Sequence, residues 1–373
     1  MKLLTVVTFV GTRPEIIRLS RLIPLLDERS NHILVHTGQN NDPKLSDVFF
    51  SDLGLRDPDH YLGISNESPA HAMAQTLVGA EKVLKSLSAD AVVVLGDTNS
   101  AVAAVIARRM GIPVYHLEAG NRSFDDNVPE EINRKMVDHV STFNLPYSEP
   151  ARRNLLAEGI HPRYLCLTGS PLGEIVDHYA DQISQSSVLE DLNLKPNDYF
   201  VASAHRQENV DNSSRLSDLL EALNALCRTH KKKVVFPVHP RTRNKLSEIK
   251  VGLDPLIVLV DPLGYFDYLK IQQNALCVLS DSGTISEESA ILNFAAVTIR
   301  DSMERPELLE TGGISMSGLQ ADNILRSVDY QLSQALNVEV PAEYMVKNFA
   351  QRVFMFIEST APRVAEWQGL RKS

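Results

Sequence analysis

The sequence predicts two consecutive α/β halves, each a parallel sheet covered by helices, and three observations predict it. Short Val/Ile/Leu-rich runs alternate with longer segments of helical spacing. The alternation pauses once and then restarts. The length of 373 residues suits two domains of ordinary size. In the first half, residues 3–10, 32–36, 91–95 and 113–117 are short, apolar and bounded by Gly, Asp or Pro, as strands buried on both faces are. Residues 14–29, 70–87 and 99–109 between them carry helical spacing. The polar stretch 181–198, DQISQSSVLEDLNLKPND, is the natural connector. Strands are expected again at 199–203, 233–238, 256–260, 276–280 and 295–299, and a long final helix at 342–367. The expected domains are therefore 1–182 and 183–340, with 341–373 packing back on the first. In such α/β folds ligands sit beyond the carboxyl ends of the strands, so the two parallel sheets are expected to face a central cleft.

Composition narrows the function. Lys+Arg number 37 and Asp+Glu 47, a formal net charge of −10, which argues against nucleic acid or an anionic membrane as partner. A small anion is still allowed, because a few local arginines suffice to hold one. The three cysteines, Cys166, Cys227 and Cys277, have neither disulfide-framework nor zinc spacing. Residues 1–10 lack the features of a signal peptide, and no run approaches ~20 apolar residues. A cytoplasmic protein is expected.

Polar residues recur just after the expected strands. The first is followed by Gly11-Thr12-Arg13-Pro14-Glu15, where a glycine turn leads into a helix, and Arg13 and Arg18 are candidate phosphate holders. The glycine spacing there matches neither the dinucleotide fingerprint nor the P-loop. Asp97, in Gly-Asp-Thr-Asn-Ser, is open to two readings, a helix cap or a catalytic carboxylate. Glu118 falls at a strand end among apolar and small residues, where an unpartnered carboxylate is costly. Glu130 and Arg134 are four apart on an expected helix and suit an i,i+4 pair. Asp97, Glu118 and Glu130 together suit general acid–base work, since mutual repulsion separates the pKa values of convergent carboxylates.

The second half offers cations and hydroxyls. His205 and Arg206 follow one strand, and His239 follows the next. Ser282-Gly283-Thr284 runs from a strand into a helix start and suits a diphosphate. Glu288, a turn further on, is placed to accept from ribose hydroxyls, and Arg300 and Arg305 follow the next strand. No Asp/Glu/His cluster suggests a metal.

These residues carry a family resemblance. GTRPEIIR, HTGQN, GDTNS, HLEAGNR, VPEEINR, SAHRQEN, HPRTR, SDSGTISEES and RDSMERPE occur in this order between residues 11 and 308. The chain resembles the non-hydrolysing UDP-N-acetylglucosamine 2-epimerases over nearly its whole length. The resemblance implies two Rossmann-like domains similar to B-type glycosyltransferases, a UDP-sugar substrate, a homodimer and no cofactor. It implies anti elimination of UDP to a 2-acetamidoglycal, then re-addition on the other face of C2. It further implies Asp97, Glu118 and Glu130 as acid–base groups, with His205 beside the diphosphate. Arg13, Ser282, Glu288 and Arg305 are implied as phosphate and ribose contacts, and Tyr268 or Phe266 as a stacking partner for uracil. Arg18 stands where better-known members carry lysine.

The departures Asn121, Ser123-Phe124-Asp125, Val128-Pro129 and His-Pro-Arg-Thr-Arg are similar to a particular branch. That branch converts UDP-2-acetamido-2,6-dideoxy-L-talose to UDP-N-acetyl-L-fucosamine for capsule and O-antigen. Epimerisation of UDP-N-acetylglucosamine to the mannosamine epimer is the alternative, followed by a B-type glycosyltransferase, a hydrolysing epimerase and a UDP-sugar-binding regulator. Gln39-Asn40 and Gln75 depart from the residues of an allosteric UDP-N-acetylglucosamine site, so no substrate-type activation is expected.

Overall fold

Strands β1 (Thr5–Val10), β2 (Asn31–His36), β3 (His60–Tyr61), β4 (Ala91–Leu95), β5 (Val114–Leu117) and β6 (Phe143–Leu145) form one sheet in the order β3-β2-β1-β4-β5-β6. Every pairing is parallel, with Val7 opposite Ile33 on one side and Val92 on the other. Strands β7 (Tyr199–Ser203), β8 (Lys233–Pro237), β9 (Ile257–Val260), β10 (Cys277–Ser280), β11 (Ala296–Thr298) and β12 (Ser315–Met316) form a second parallel sheet, β12-β11-β10-β7-β8-β9. Counted within its own unit, each sheet has the Rossmann order 3-2-1-4-5-6. The computed structural model describes residues 3–38, 50–65, 67–125, 127–249, 251–333 and 339–369. Met1–Ile175 with Ala342–Ser373 makes one compact unit, and Val176–Pro341 the other.

The central strands are buried throughout, as all of β1 and β4 show, because helices cover both faces. In the second unit, Leu219, Leu223 and Leu226 of the helix Ser213–His230 share a core with Phe236, Leu279 and Ile324. Among the described residues no helix is long and apolar enough to cross a membrane.

Several expected elements differ in detail. The helix expected at 14–29 is two, Arg13–Leu19 and Leu22–Arg29. Pro24 has no N–H for the Ser20 carbonyl, and Ser20 instead bonds back to Ile17. The stretch 181–198 is not a bare connector, for it holds the helices Ala180–Gln185 and Val188–Asp191. The final helix is interrupted. Phe349–Thr360 starts where Glu174 accepts the Ala350 N–H at 2.9 Å, and Pro362 ends it in a 3-10 turn, Ala361–Arg363. Its Phe356 packs on Tyr115 and Phe143, and Thr360 meets the Tyr115 hydroxyl at 2.7 Å.

Candidate active site

In each sheet the first strand of the unit lies beside the fourth, β1 beside β4 and β7 beside β10. At such a switch point the two connections diverge and leave a crevice at the carboxyl ends. Each unit sets a buried carboxylate there. In the first, Glu15 is 1% exposed and accepts the N–H groups of Gly11 and Thr12 at 2.9 and 2.7 Å. Across the switch point it accepts Thr98 Oγ1 at 2.9 Å and the Ser100 hydroxyl. Burial pushes its pKa up against these hydrogen bonds. Glu15 thus ties the turn that carries Arg13 to the loop that carries Asp97.

Asp97 is not a helix cap. Thr98 caps the 3-10 turn Asn99–Val102 by accepting the Ser100 N–H. The Asp97 carboxylate, a quarter exposed, lies 2.6 Å from Arg134 Nη2. Asn133 Nδ2 donates to the Asp97 carbonyl at 2.9 Å. Arg134 is buried and does not make the expected pair with Glu130. Glu131, three residues back, also pairs with it at 2.9 Å. Glu131 is itself 1% exposed and holds the Ser123 N–H at 3.0 Å, whereas Glu130 projects to solvent. Burial raises the Glu131 pKa, but the Ser123 and Arg134 contacts lower it by more. A 3.6-residue period separates these neighbouring glutamates, sending one inward and the other out.

Glu118 follows β5 with φ +63°, a left-handed conformation that costs a glutamate about 1–3 kcal/mol. Arg18 Nη1 lies 3.3 Å from its carboxylate, and Asn121 Nδ2 donates to it at 3.4 Å. Arg18 was expected on the phosphate side. Its guanidinium is instead 6% exposed and engaged by Glu118, with the Tyr147 ring 5.6 Å from its Cζ.

Gly120 continues the same loop at φ +84°, and a Cβ there would stand 2.3 Å from the Ala151 carbonyl oxygen. Gly120→Ala is therefore expected to destabilise the protein by roughly 3 kcal/mol, through backbone strain and that contact, as read by urea denaturation.

At the second switch point Asp281 is fully buried and accepts the His205 and Arg206 N–H groups at 3.1 and 3.0 Å and Asn209 Nδ2 at 2.9 Å. His205 Nδ1 lies 3.0 Å from it while the imidazole stays open, 61% exposed. The buried Asp281 charge beside Nδ1 holds the His205 pKa above the usual histidine value. Ser282 Oγ and Thr284 Oγ1 are 2.9 Å apart, and Thr284 donates to Glu288 at 2.6 Å. Glu288 also accepts from Gln272 at 2.8 Å, so both its oxygens are oriented. A Cβ on Gly283 would stand 2.5 Å from a carboxylate oxygen of Glu304, so a larger residue here requires that side chain to move.

Tyr268 is half-buried, and its hydroxyl meets Ser203 and Ser280 at the ends of β7 and β10. Burial raises its pKa, as do the Glu288 and Asp281 charges. Phe266 packs between Tyr179 and Tyr265. His239 is exposed at the end of β8. Arg305 was expected around the diphosphate. It is 5% exposed and paired with Glu287, so its charge is already met inside the fold. Gln75 accepts the Ser65 N–H at 2.7 Å, and Gln39-Asn40 lie outside the described residues. No group of three His, Cys, Asp or Glu is placed to hold a metal among the described residues.

Sequence reasoning missed Glu15, Asp281 and the pair His116–Asp138. The Thr12-x-x-Glu15 capping-box spacing signals the first, and a histidine inside an apolar strand signals the last. For Asp281 no local signal separates it from a cap.

A UDP-N-acetylglucosamine 2-epimerase from Methanocaldococcus jannaschii is 36% identical over 344 residues, 89% of this chain and 93% of that one. A UDP-2,3-diacetamido-2,3-dideoxy-D-glucuronate 2-epimerase from Pseudomonas aeruginosa is 33% identical over 340 residues, 90% of this chain and 94% of that one. The crystal structure of the M. jannaschii UDP-GlcNAc 2-epimerase with UDP-GlcNAc and UDP superposes with TM-score 0.89 at 33% identity, covering 95% of this chain and all of that one. The fold and these likenesses define an isomerase built of two Rossmann-like units. The family model described as UDP-N-acetylglucosamine 2-epimerase matches residues 25–358, and the chain belongs to that family.

Proposed function

We propose that this protein inverts C2 of UDP-N-acetylglucosamine without net hydrolysis. The carrying observation is the set of acidic groups beyond the carboxyl ends of β4 and β5 in one sheet: Asp97 held by Arg134, Glu118 held by Arg18 and Asn121, and Glu130 open to solvent on the helix that follows. One carboxylate takes the C2 proton. The C2–H electron pair becomes the C1=C2 bond of a 2-acetamidoglycal, and the C1–O bond breaks with its electrons leaving on UDP. In the return step the UDP oxygen re-forms the bond to C1, and a second carboxyl group delivers a proton to the opposite face of C2. No redox cofactor enters this balance. His205, Ser282, Thr284 and Glu288 supply the diphosphate and ribose contacts, with Arg13 and His239 as further cations for the phosphates. The same reading makes the enzyme a cytoplasmic homodimer that supplies surface-polysaccharide precursors.

The experiment is incubation of protein and UDP-N-acetylglucosamine alone in D2O. Deuterium is expected at C2 of recovered UDP-sugar, with both epimers present. Release of free sugar, or a requirement for an acceptor, overturns the reading. A 6-deoxy-L-sugar substrate is the second reading, favoured by Asn121 lying against Glu118 and by the exposed Phe124 three residues on. Faster C2 exchange on UDP-2-acetamido-2,6-dideoxy-L-talose than on UDP-N-acetylglucosamine decides for it.

A further inference from the structure

His116 is the third residue of β5, inside an otherwise apolar strand, and is 1% exposed. A neutral imidazole has one donor and one acceptor nitrogen. Here both nitrogens face acceptors. Nε2 lies 2.8 Å from the Gly96 carbonyl oxygen, and Nδ1 lies 2.8 Å from Asp138 Oδ1. A carbonyl oxygen accepts only. Asp138 is an ionised acceptor too, for its two oxygens face the Gly120 N–H at 3.2 Å and Oδ2 lies 2.7 Å from Arg122 Nη1. Nδ1 is close to that carboxylate but off the line of a hydrogen bond, so the contact is an ion pair, and an anion 2.8 Å from the ring favours the imidazolium.

The atoms that this pair holds are not scattered. Gly96 immediately precedes Asp97 and turns at φ +67°. Glu118 is two residues past His116, at φ +63°. Gly120, bound to Asp138, closes the same loop at φ +84°. Three left-handed backbone positions therefore surround the two carboxylates, and the His116–Asp138 pair ties the first to the last. Arg122 anchors Asp138 from behind, with Glu158 accepting from its Nε and Nη2 at 2.7 and 2.6 Å.

We propose that His116, held as an imidazolium between Asp138 and the Gly96 carbonyl, is a positioning residue that fixes the Asp97 and Glu118 carboxylates relative to one another. The proposal rests on the acid–base reading of those two groups. The charged groups facing the ring are Asp138 from the helix Pro129–Val140 and Glu118 from the end of its own strand, with Arg122 beyond Asp138. Burial lowers the His116 pKa, but the Asp138 contact and charge, the Gly96 bond and Glu118 raise it by more, so the ring keeps its second proton above the usual histidine range.

Three measurements test this. In the wild-type protein carrying 15N-labelled histidine, both His116 ring nitrogens are expected to be protonated at pH 8, where an ordinary histidine of pKa about 6.5 is neutral. His116→Gln keeps one donor group but cannot span both acceptors, and Asp138→Asn removes the counter-charge. Each is expected to lower kcat and the C2 exchange rate by roughly 10- to 100-fold, with KM and UDP affinity within about twofold of wild type, as a misplaced acid–base group does. A neutral His116 ring at pH 8, or folded variants with wild-type kcat, overturns the proposal. Where neither variant folds, the charge on the wild-type ring decides. Absence of C2 exchange in the wild type, or an Asp97→Asn variant as active as wild type, overturns the acid–base reading and the proposal with it.

Discussion

Asp97→Asn is expected to lower kcat by at least about a hundredfold while leaving the affinity for UDP essentially unchanged. Asparagine keeps the size of the side chain and one oxygen for Arg134, which lies 2.6 Å from the Asp97 carboxylate. Arg134 also keeps its pairing with Glu131 at 2.9 Å, so its charge is not left alone in the interior. The loop itself is fastened by other atoms, the Asp97 carbonyl to Asn133 and the neighbouring hydroxyls of Thr98 and Ser100 to Glu15. What the substitution removes is the ability to take or return a proton. Glu118→Gln removes the same ability at the second position and should behave alike. Steady-state kinetics with calorimetric titration of UDP separates the two quantities. A variant that loses UDP affinity in step with kcat would place Asp97 among the nucleotide contacts instead.

Much of this site was legible in sequence because a parallel sheet writes its strands as continuous apolar runs and its ligands after them. β1, β4, β7 and β10 are such runs, and Asp97, His205 and Ser282 follow them closely. The two-residue strands β3 and β12 are too short to show any period. Which charges are working groups and which are structural was not legible, because the deciding partners lie far away in the chain. Glu15 and Ser100 are 85 positions apart, and Asp281 and His205 are 76 apart. The expected pair of Glu130 with Arg134 obeys a sound local rule. It lost to Asp97 and Glu131, which reach the same guanidinium in the interior, where charge pairing is worth more than on a surface. Arg18 and Arg305 went the same way. Each reads in sequence as a cation for phosphate, and each also pairs with a glutamate of its own unit. The net charge of −10 says nothing about this sorting. His205 and His239 are exposed at the ends of adjacent strands.

Asp281→Ala is expected to destabilise the second unit by roughly 3–5 kcal/mol, the range for removing one partner of a buried charged network. The carboxylate is the common acceptor for the His205 and Arg206 N–H groups, Asn209 Nδ2 and the His205 ring. Its removal, just past the end of β10, strands donors that all follow β7, the neighbouring strand across the switch point. The effect should depend on pH with a definite sign. Burial raises the Asp281 pKa, but the His205 charge and the hydrogen bonds it accepts outweigh this and bring it down to about 2, against 3.8 ordinarily. A carboxylate with a depressed folded pKa stabilises the protein fully above its unfolded pKa, and that stabilisation is lost as pH falls through the folded value. The wild type should therefore lose on the order of 2 kcal/mol from this group between about pH 4 and pH 2. The Asp281→Ala variant has no such group to protonate. His205 acts in the opposite sense. Its raised pKa contributes stability below the ordinary histidine value, and this is lost as pH rises through the folded one. Urea denaturation of both proteins from pH 2 to pH 8 should show the gap between them widest at mildly acid pH and narrowing toward both ends. A gap that stays constant from pH 4 down to pH 2 would mean that Asp281 is not held ionised by His205. The two strand ends would then be joined by hydrogen bonds alone.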